Sequence, residues 1–184
     1  MTRKVAVLVG SLRKESFNRK IAKAFEKIAG DKLSFDFVEI GDLPFYNEDV
    51  EAAGAPAAWA RVREQVKGAD AVLFVTPEYN RSVPGVLKNA VDVISRPYGK
   101  NNFSGKPTAV IASSPGALGG FGANHHLRQS LVFLDTPVLQ QPEAYLGGVG
   151  NWFDESGALT NDGGKDFLTN FSAAFVAWID SHSK

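Results

Sequence analysis

The chain has 184 residues, 44% of them apolar and 22% charged, with Lys plus Arg equal to Asp plus Glu at 20 each. That size and make-up suit one globular domain over residues 1–184, and zero net charge argues against a general binder of nucleic acid or anionic membrane. Cysteine is absent, which excludes disulfides, thiolate nucleophiles, iron–sulfur clusters and Cys-based zinc sites, and fits a cytoplasmic location.

Val5–Val9 is aliphatic on both faces, the mark of a strand buried in a parallel sheet. The apolar part of the opening "MTRKVAVLVGSL" is too short for a secretory leader, so it reads as a strand. Asn18–Ala29 places Ile21, Phe25 and Ile28 at helical spacing, with Gly30 as a stop. Leu33–Ile40 alternates and predicts a second strand. "GDLPFYNEDVEAAGAPAAW" reads as a long loop, with Glu48, Asp49 and Glu51 as solvated charges, and Ala57–Val66 as a helix. Ala71–Val75 is a third strand. A helix from Pro84 to about Ser95 follows, since proline is tolerated in a first turn. Thr108–Ala112 is a fourth strand, Ala123–Leu134 a helix, Pro137–Gln140 a short fifth strand, and Lys165–Asp180 an amphipathic helix. No apolar run approaches the about 20 residues needed to cross a bilayer, so membrane insertion is not expected.

Strands alternating with helices predict an α/β fold with a doubly wound, mostly parallel sheet. Five strands favour the order 2-1-3-4-5 over a six-stranded dinucleotide-binding sheet. Ligands of such sheets sit beyond the carboxyl ends of the strands, where the loops after strands one, three and four meet. The first loop, "GSLRKESFNR", is neither GxGxxG nor GxxxxGK[ST]. It offers Ser11, Ser16, Asn18, Arg13 and the amides of a helix start, a set suited to a phosphate monoester. The same residues also suit a solvated basic loop with an ordinary N-cap. The second, "TPEYNRSVPG", is stiffened by Pro77 and Pro84 and presents Glu78, Tyr79 and Asn80. It suits either one wall for a flat ligand or a plain strand-to-helix turn. The third, "SSPGALGGFGANHH", carries four glycines, which suits a lid, a set of amides facing a heterocycle, or a flexible surface loop.

"GSLRKESFNR" together with "PEYNRSVPGVLKNAVD", "GGFGANHHLRQSLVFLD" and "PEAYLGG" resembles the NADPH-dependent FMN reductase family of flavodoxin-like proteins, and within it the bacterial chromate and quinone reductases. The resemblance covers nearly the whole chain. It implies non-covalent FMN as cofactor and NADH or NADPH as electron donor. It implies Ser11, Arg13, Ser16, Phe17 and Asn18 as the phosphate loop, Pro77, Glu78, Tyr79 and Asn80 beside the isoalloxazine, and Ser113 at the flavin's side. Quinones, chromate, azo compounds or ferric chelates are the implied acceptors, and a homodimer or homotetramer the implied assembly. A flavodoxin-type electron carrier is the alternative, although such carriers tend to be strongly acidic.

No side-chain acid or base is required for hydride transfer to a flavin, so no catalytic residue is assigned. His125 and His126 are helix neighbours about 100° apart and poorly placed to share a metal, and no HExxH is present, so no metal site is expected. Ser113 and Ser114 lack a GxSxG elbow. The helices Gly85–Ser95 and "NHHLRQSLVFLD" hold apolar residues beyond one core stripe and are the candidate subunit contacts.

Overall fold

The structure is a computed structural model and describes residues 1–182. Five parallel strands form one sheet in the order β2-β1-β3-β4-β5. They are β1 (Arg3–Val9), β2 (Leu33–Val38), β3 (Ala71–Thr76), β4 (Thr108–Ser113) and β5 (Ala144–Leu146). The expected strand order therefore holds. Helices α1 (Phe17–Ala29), α2 (Glu48–Ala53), α3 (Ala57–Lys67), α4 (Gly85–Ile94), α5 (Phe121–Phe133) and α6 (Asp162–His182) complete the fold.

The aliphatic strands are double-sided because each face has its own helical cover. Val5, Val7 and Val9 pack with Ile21 and Phe25 of α1 and with Phe171 and Phe175 of α6. Ala6, Leu8, Val72 and Phe74 pack on the other face with Trp59 and Val62 of α3, Leu87 and Ile94 of α4, and Leu127 of α5. Val5, Val7, Leu8 and Phe74 are fully buried, so burial on both faces anchors the central strands and fixes where they end.

Three expectations are corrected. The fifth strand lies at Ala144–Leu146, not at Pro137–Gln140. Pro137–Leu139 touches β4 only around Thr108, whose amide donates to the Pro137 carbonyl at 2.9 Å while the Leu139 amide donates to the Thr108 carbonyl at 2.8 Å. Val138 thus stands opposite Thr108 and Ala144 opposite Ile111, and the chain between them swings out of the ladder. Pro142 lies in that excursion and has no N–H to give a ladder.

The long connection after β2 is not all loop. It contains α2, whose start is capped by Asn47 Oδ1 accepting from the Asp49 amide at 2.8 Å. Glu51 is not a solvated charge either. Its side chain is 17% exposed and takes a two-pronged ion pair from Arg63, Nη1 donating to Oε1 at 3.0 Å and Nη2 to Oε2. Among the described residues, no helix is long and apolar enough to cross a membrane.

Candidate functional site

The carboxyl ends of β1, β3 and β4 lie side by side in the middle of the sheet, so the three loops that follow them meet. Gly10 makes the first meeting close. A Cβ there would stand 2.9 Å from Thr76 Oγ1 and 3.1 Å from Leu87 Cδ2, so any side chain would push the first loop away from β3 and α4. Between the loops lies a cleft of about 150 Å³.

Every residue that the resemblance assigns to the cofactor, except Asn80, lines this cleft: Ser11, Arg13, Ser16, Phe17, Asn18, Pro77, Glu78, Tyr79 and Ser113. Asn80 sits just beyond, in a tight turn. Ser114, Pro115 and Val149 also line it and were not assigned to the cofactor. The first two belong to the third loop quoted above. Val149 follows the glycine pair of "YLGG", a signal too short to read without the fold.

The first loop leaves its hydrogen-bond donors open. Among the described residues, the backbone amides from Ser11 to Asn18 meet no hydrogen-bond acceptor within the protein. Ser16 caps α1, its Oγ accepting from the Arg19 amide at 3.2 Å, so the first-turn amides of Phe17 and Asn18 stay free. Ser11 is 4% exposed, yet its hydroxyl has no protein partner among the described residues. Arg13 is exposed at the rim and, among those residues, forms no ion pair with a carboxylate. Unpaired amides at a helix start, a free hydroxyl and a free guanidinium are the donor set of a phosphate site. FMN carries such a phosphate, and the donors present fit it.

The deeper wall is stitched together. Ser113 Oγ donates to Asn18 Oδ1 at 2.9 Å, joining the end of β4 to the first turn of α1 through two buried polar side chains. The glycine-rich loop is tied to the β5 edge rather than hanging free. The Ser114 amide donates to the Leu146 carbonyl at 3.0 Å, and the Gly148 amide to the Gly116 carbonyl at 3.3 Å. Tyr79 is 51% exposed and stands as a ring on the opposite wall.

The two histidines point to separate partners. His125 Nε2 lies 2.8 Å from the Tyr145 hydroxyl, and His126 Nδ1 lies 3.0 Å from Ser82 Oγ. Burial, followed by the hydrogen bond to Glu143, pushes the Tyr145 hydroxyl up to about 12. A wider groove of about 540 Å³ runs between α4 and α5. It lacks the convergent free amides of the first loop and sits away from the strand ends.

A five-stranded doubly wound parallel sheet of order 2-1-3-4-5, with the loops after β1, β3 and β4 meeting over a cleft, defines a flavodoxin-like fold. Residues 3–150 match the model of the NADPH-dependent FMN reductase family, and the chain belongs to that family, with FMN and NAD(P)H as its cofactors. A quinone reductase of Pseudomonas putida is 63% identical over 175 residues, which cover 95% of this chain and 94% of that protein. A 2-hydroxy-1,4-benzoquinone reductase of a Burkholderia species is 43% identical, covering 97% of each chain. Among solved structures, FerB, a flavoenzyme NAD(P)H:(acceptor) oxidoreductase from Paracoccus denitrificans, superposes with a TM-score of 0.93 at 44% identity, covering 98% of this chain and 99% of that one.

Proposed function

We propose that this protein is a quinone reductase that draws electrons from NADH or NADPH through FMN seated in the cleft after β1, β3 and β4. One observation carries the placement: the run of partnerless amides from Ser11 to Asn18 opens into a cleft already walled by Tyr79 and Pro77. The relatives named above supply the acceptor class.

In this reading the amides of residues 11–18, with Ser11, Ser16 and Arg13, hold the phosphate, and Phe17 closes the cradle from the α1 side. Asn18 and Ser113, locked to each other, face the flavin's side. Pro77, Glu78, Tyr79 and Asn80 form the loop along the isoalloxazine. When bound, FMN supplies the two-electron carrier between nicotinamide and acceptor. The chain's own residues orient the ring. Pro77 and Pro84 restrict the backbone on either side of Tyr79, so the wall is set before any substrate arrives. Nicotinamide and quinone are both flat, and the space beside Tyr79 takes them in turn.

Sharing one space makes the kinetics ping-pong. Steady-state NAD(P)H oxidation with a benzoquinone should give parallel double-reciprocal lines and quinol as the direct product. Intersecting lines, with a one-electron quinone radical as the main product, would overturn this. An electron carrier of flavodoxin type would show no NAD(P)H oxidation without a separate reductase. Chromate, azo compounds and ferric chelates belong to the same proposal as further acceptors, on the family resemblance.

Self-association is also proposed. The groove between α4 and α5 is bordered by Phe133, 75% exposed, beside Val132, 77% exposed, an apolar face more typical of a subunit contact than of free surface. Light scattering at micromolar concentration should give a mass above 19.8 kDa. A cytoplasmic site of action fits a cysteine-free chain that consumes reduced nicotinamide.

A further inference from the structure

Glu78 opens the loop after β3, but its carboxylate is already engaged. The side chain is 12% exposed. Oε1 accepts from Arg81 Nη1 at 3.1 Å, and Oε2 accepts from the Ala123 amide at 3.2 Å. Ala123 lies in the first turn of α5. That helix begins at Gly120, which is left-handed and has no side chain to cap the free amides. The cap comes instead from a different loop, and the helix dipole favours a carboxylate at that place.

The next residues explain why a latch is needed. Asn80 and Arg81 are both left-handed, with φ of +51° and +64°. They form a two-residue turn closed by reciprocal bonds between Tyr79 and Ser82, at 2.9 and 3.0 Å. Such turns favour glycine, and neither residue here is glycine. The strained turn is pressed onto α5. A Cβ on Gly122 would stand 2.7 Å from the Arg81 carbonyl oxygen and 3.0 Å from Glu78 Oε2. One turn further on, Ser82 Oγ meets His126. Tyr79, the aromatic wall of the cleft, is therefore held from both sides: by Glu78 before it and by the docked turn after it.

We infer that Glu78 is a positioning residue whose carboxylate latches the Tyr79 loop to the first turn of α5 and so sets the width of the cleft. The loop after β4, residues 114–120, runs directly into that turn, so one carboxylate ties together the two walls on either side of the flavin ring. Arg81, 71% exposed, steadies the carboxylate only weakly. The inference rests on the proposed seating of FMN in this cleft.

Hydrogen exchange on the flavin-free protein tests the latch without the cofactor. In Glu78→Ala, exchange at the amides of Tyr79, Ser82 and Ala123 should rise about 10-fold, the loss of one charge-assisted hydrogen bond, with α6 unchanged. Glu78→Gln keeps an acceptor for Ala123 and should restore most of the protection. FMN and riboflavin should both bind about 10-fold more weakly to Glu78→Ala, because the defect lies in the ring walls and not in the phosphate cradle. Unchanged exchange in the flavin-free variant would overturn the latch, and weakened flavin binding beside it would make Glu78 a direct ligand. Faster exchange with unaltered binding of both flavins would support the latch and overturn the seating of the flavin here. Should Glu78→Ala fail to fold, Gly122→Ala drives a Cβ against the Arg81 carbonyl with Glu78 intact. It should reproduce both the exchange and the binding signatures, and native-like protection there would count against the latch.

Discussion

The loops after β1 and β2 leave adjacent strands at the same end of the sheet, and both are polar, yet they are opposites in chemistry. The loop after β2 consumes its own polar groups. Asn89 Oδ1 accepts from the Tyr46 amide at 2.9 Å, while Asn89 Nδ2 donates to the Pro44 carbonyl at 3.1 Å. Trp59 Nε1 donates to that same carbonyl at 3.1 Å, and Glu51 closes on Arg63. The loop after β1 leaves its amides from Ser11 to Asn18 and its Arg13 without partners among the described residues. A satisfied loop is structural. A loop whose convergent donors have no partner within the protein is free to take an anionic ligand, the role proposed for it above. Counting charges would have ranked the two loops the wrong way round, since the structural one carries Glu48, Asp49 and Glu51.

The comparison breaks most sharply at Asn89. Asn89→Ala should cost about 2 kcal/mol of stability, because the half-buried Tyr46 amide loses its acceptor and the Leu43 carbonyl its donor, while the Pro44 carbonyl keeps Trp59. Urea denaturation of the flavin-free protein measures this, and FMN affinity of the folded fraction should stay within about twofold. Arg13→Ala should do the reverse. Stability without flavin should not change, while FMN binding should weaken by about 2 kcal/mol, the range for a hydrogen bond to a charged group. Riboflavin, which lacks the phosphate, should lose far less. Equal losses for both flavins, or a loss of fold like that of Asn89→Ala, would erase the distinction between the loops.

The smallest effect concerns pH. The hydrogen bond from Arg63 holds the Glu51 carboxyl below its ordinary value of 4.5, against the opposing effect of burial. The pair therefore stabilises the fold fully above about pH 4.5, and that contribution is lost as pH falls through the lowered folded value. Glu51→Gln should be less stable than the parent by about 1–2 kcal/mol at pH 7. The two stability curves should converge as the medium is acidified below that range. A constant difference across the whole range would mean that the ion pair is not what holds α2 in place.

Much of this contrast was legible before the fold was known. The double-sided aliphatic runs Val5–Val9, Ala71–Val75 and Thr108–Ala112 could only be central strands, since each needs cover on both faces. Once they were placed, the strand order brought "GSLRKESFNR" and "PEYN" to one edge. Local composition also marked Ser11, Ser16, Asn18 and Tyr79, although the same residues suited an ordinary N-capped loop and a plain strand-to-helix turn, and only the family resemblance chose between them. The fifth strand was misplaced because "PVLQ" looks more strand-like than "AYL", and only pairing with Ile111 and Ser113 selects the latter. Strand propensity is a property of the neighbours as much as of the segment.

The sequence by itself determined the class of fold and the end of the sheet where the three candidate loops meet, and it marked the donors on which the proposed phosphate site rests. Each of these follows from local patterns: hydrophobic period, run length, and donors clustered at a helix start. Tertiary structure decided the rest. Whether Glu51 is solvated depends on Arg63, 12 residues away on another helix. Whether Asn18 is free or locked depends on Ser113, 95 residues away. Whether the Glu78 carboxylate is free or caps α5 depends on Ala123, 45 residues away. A carboxylate or an amide makes its choice of partner from what the fold brings within about 3 Å, and hydrogen bonds of that reach carry no trace in the local sequence of either partner.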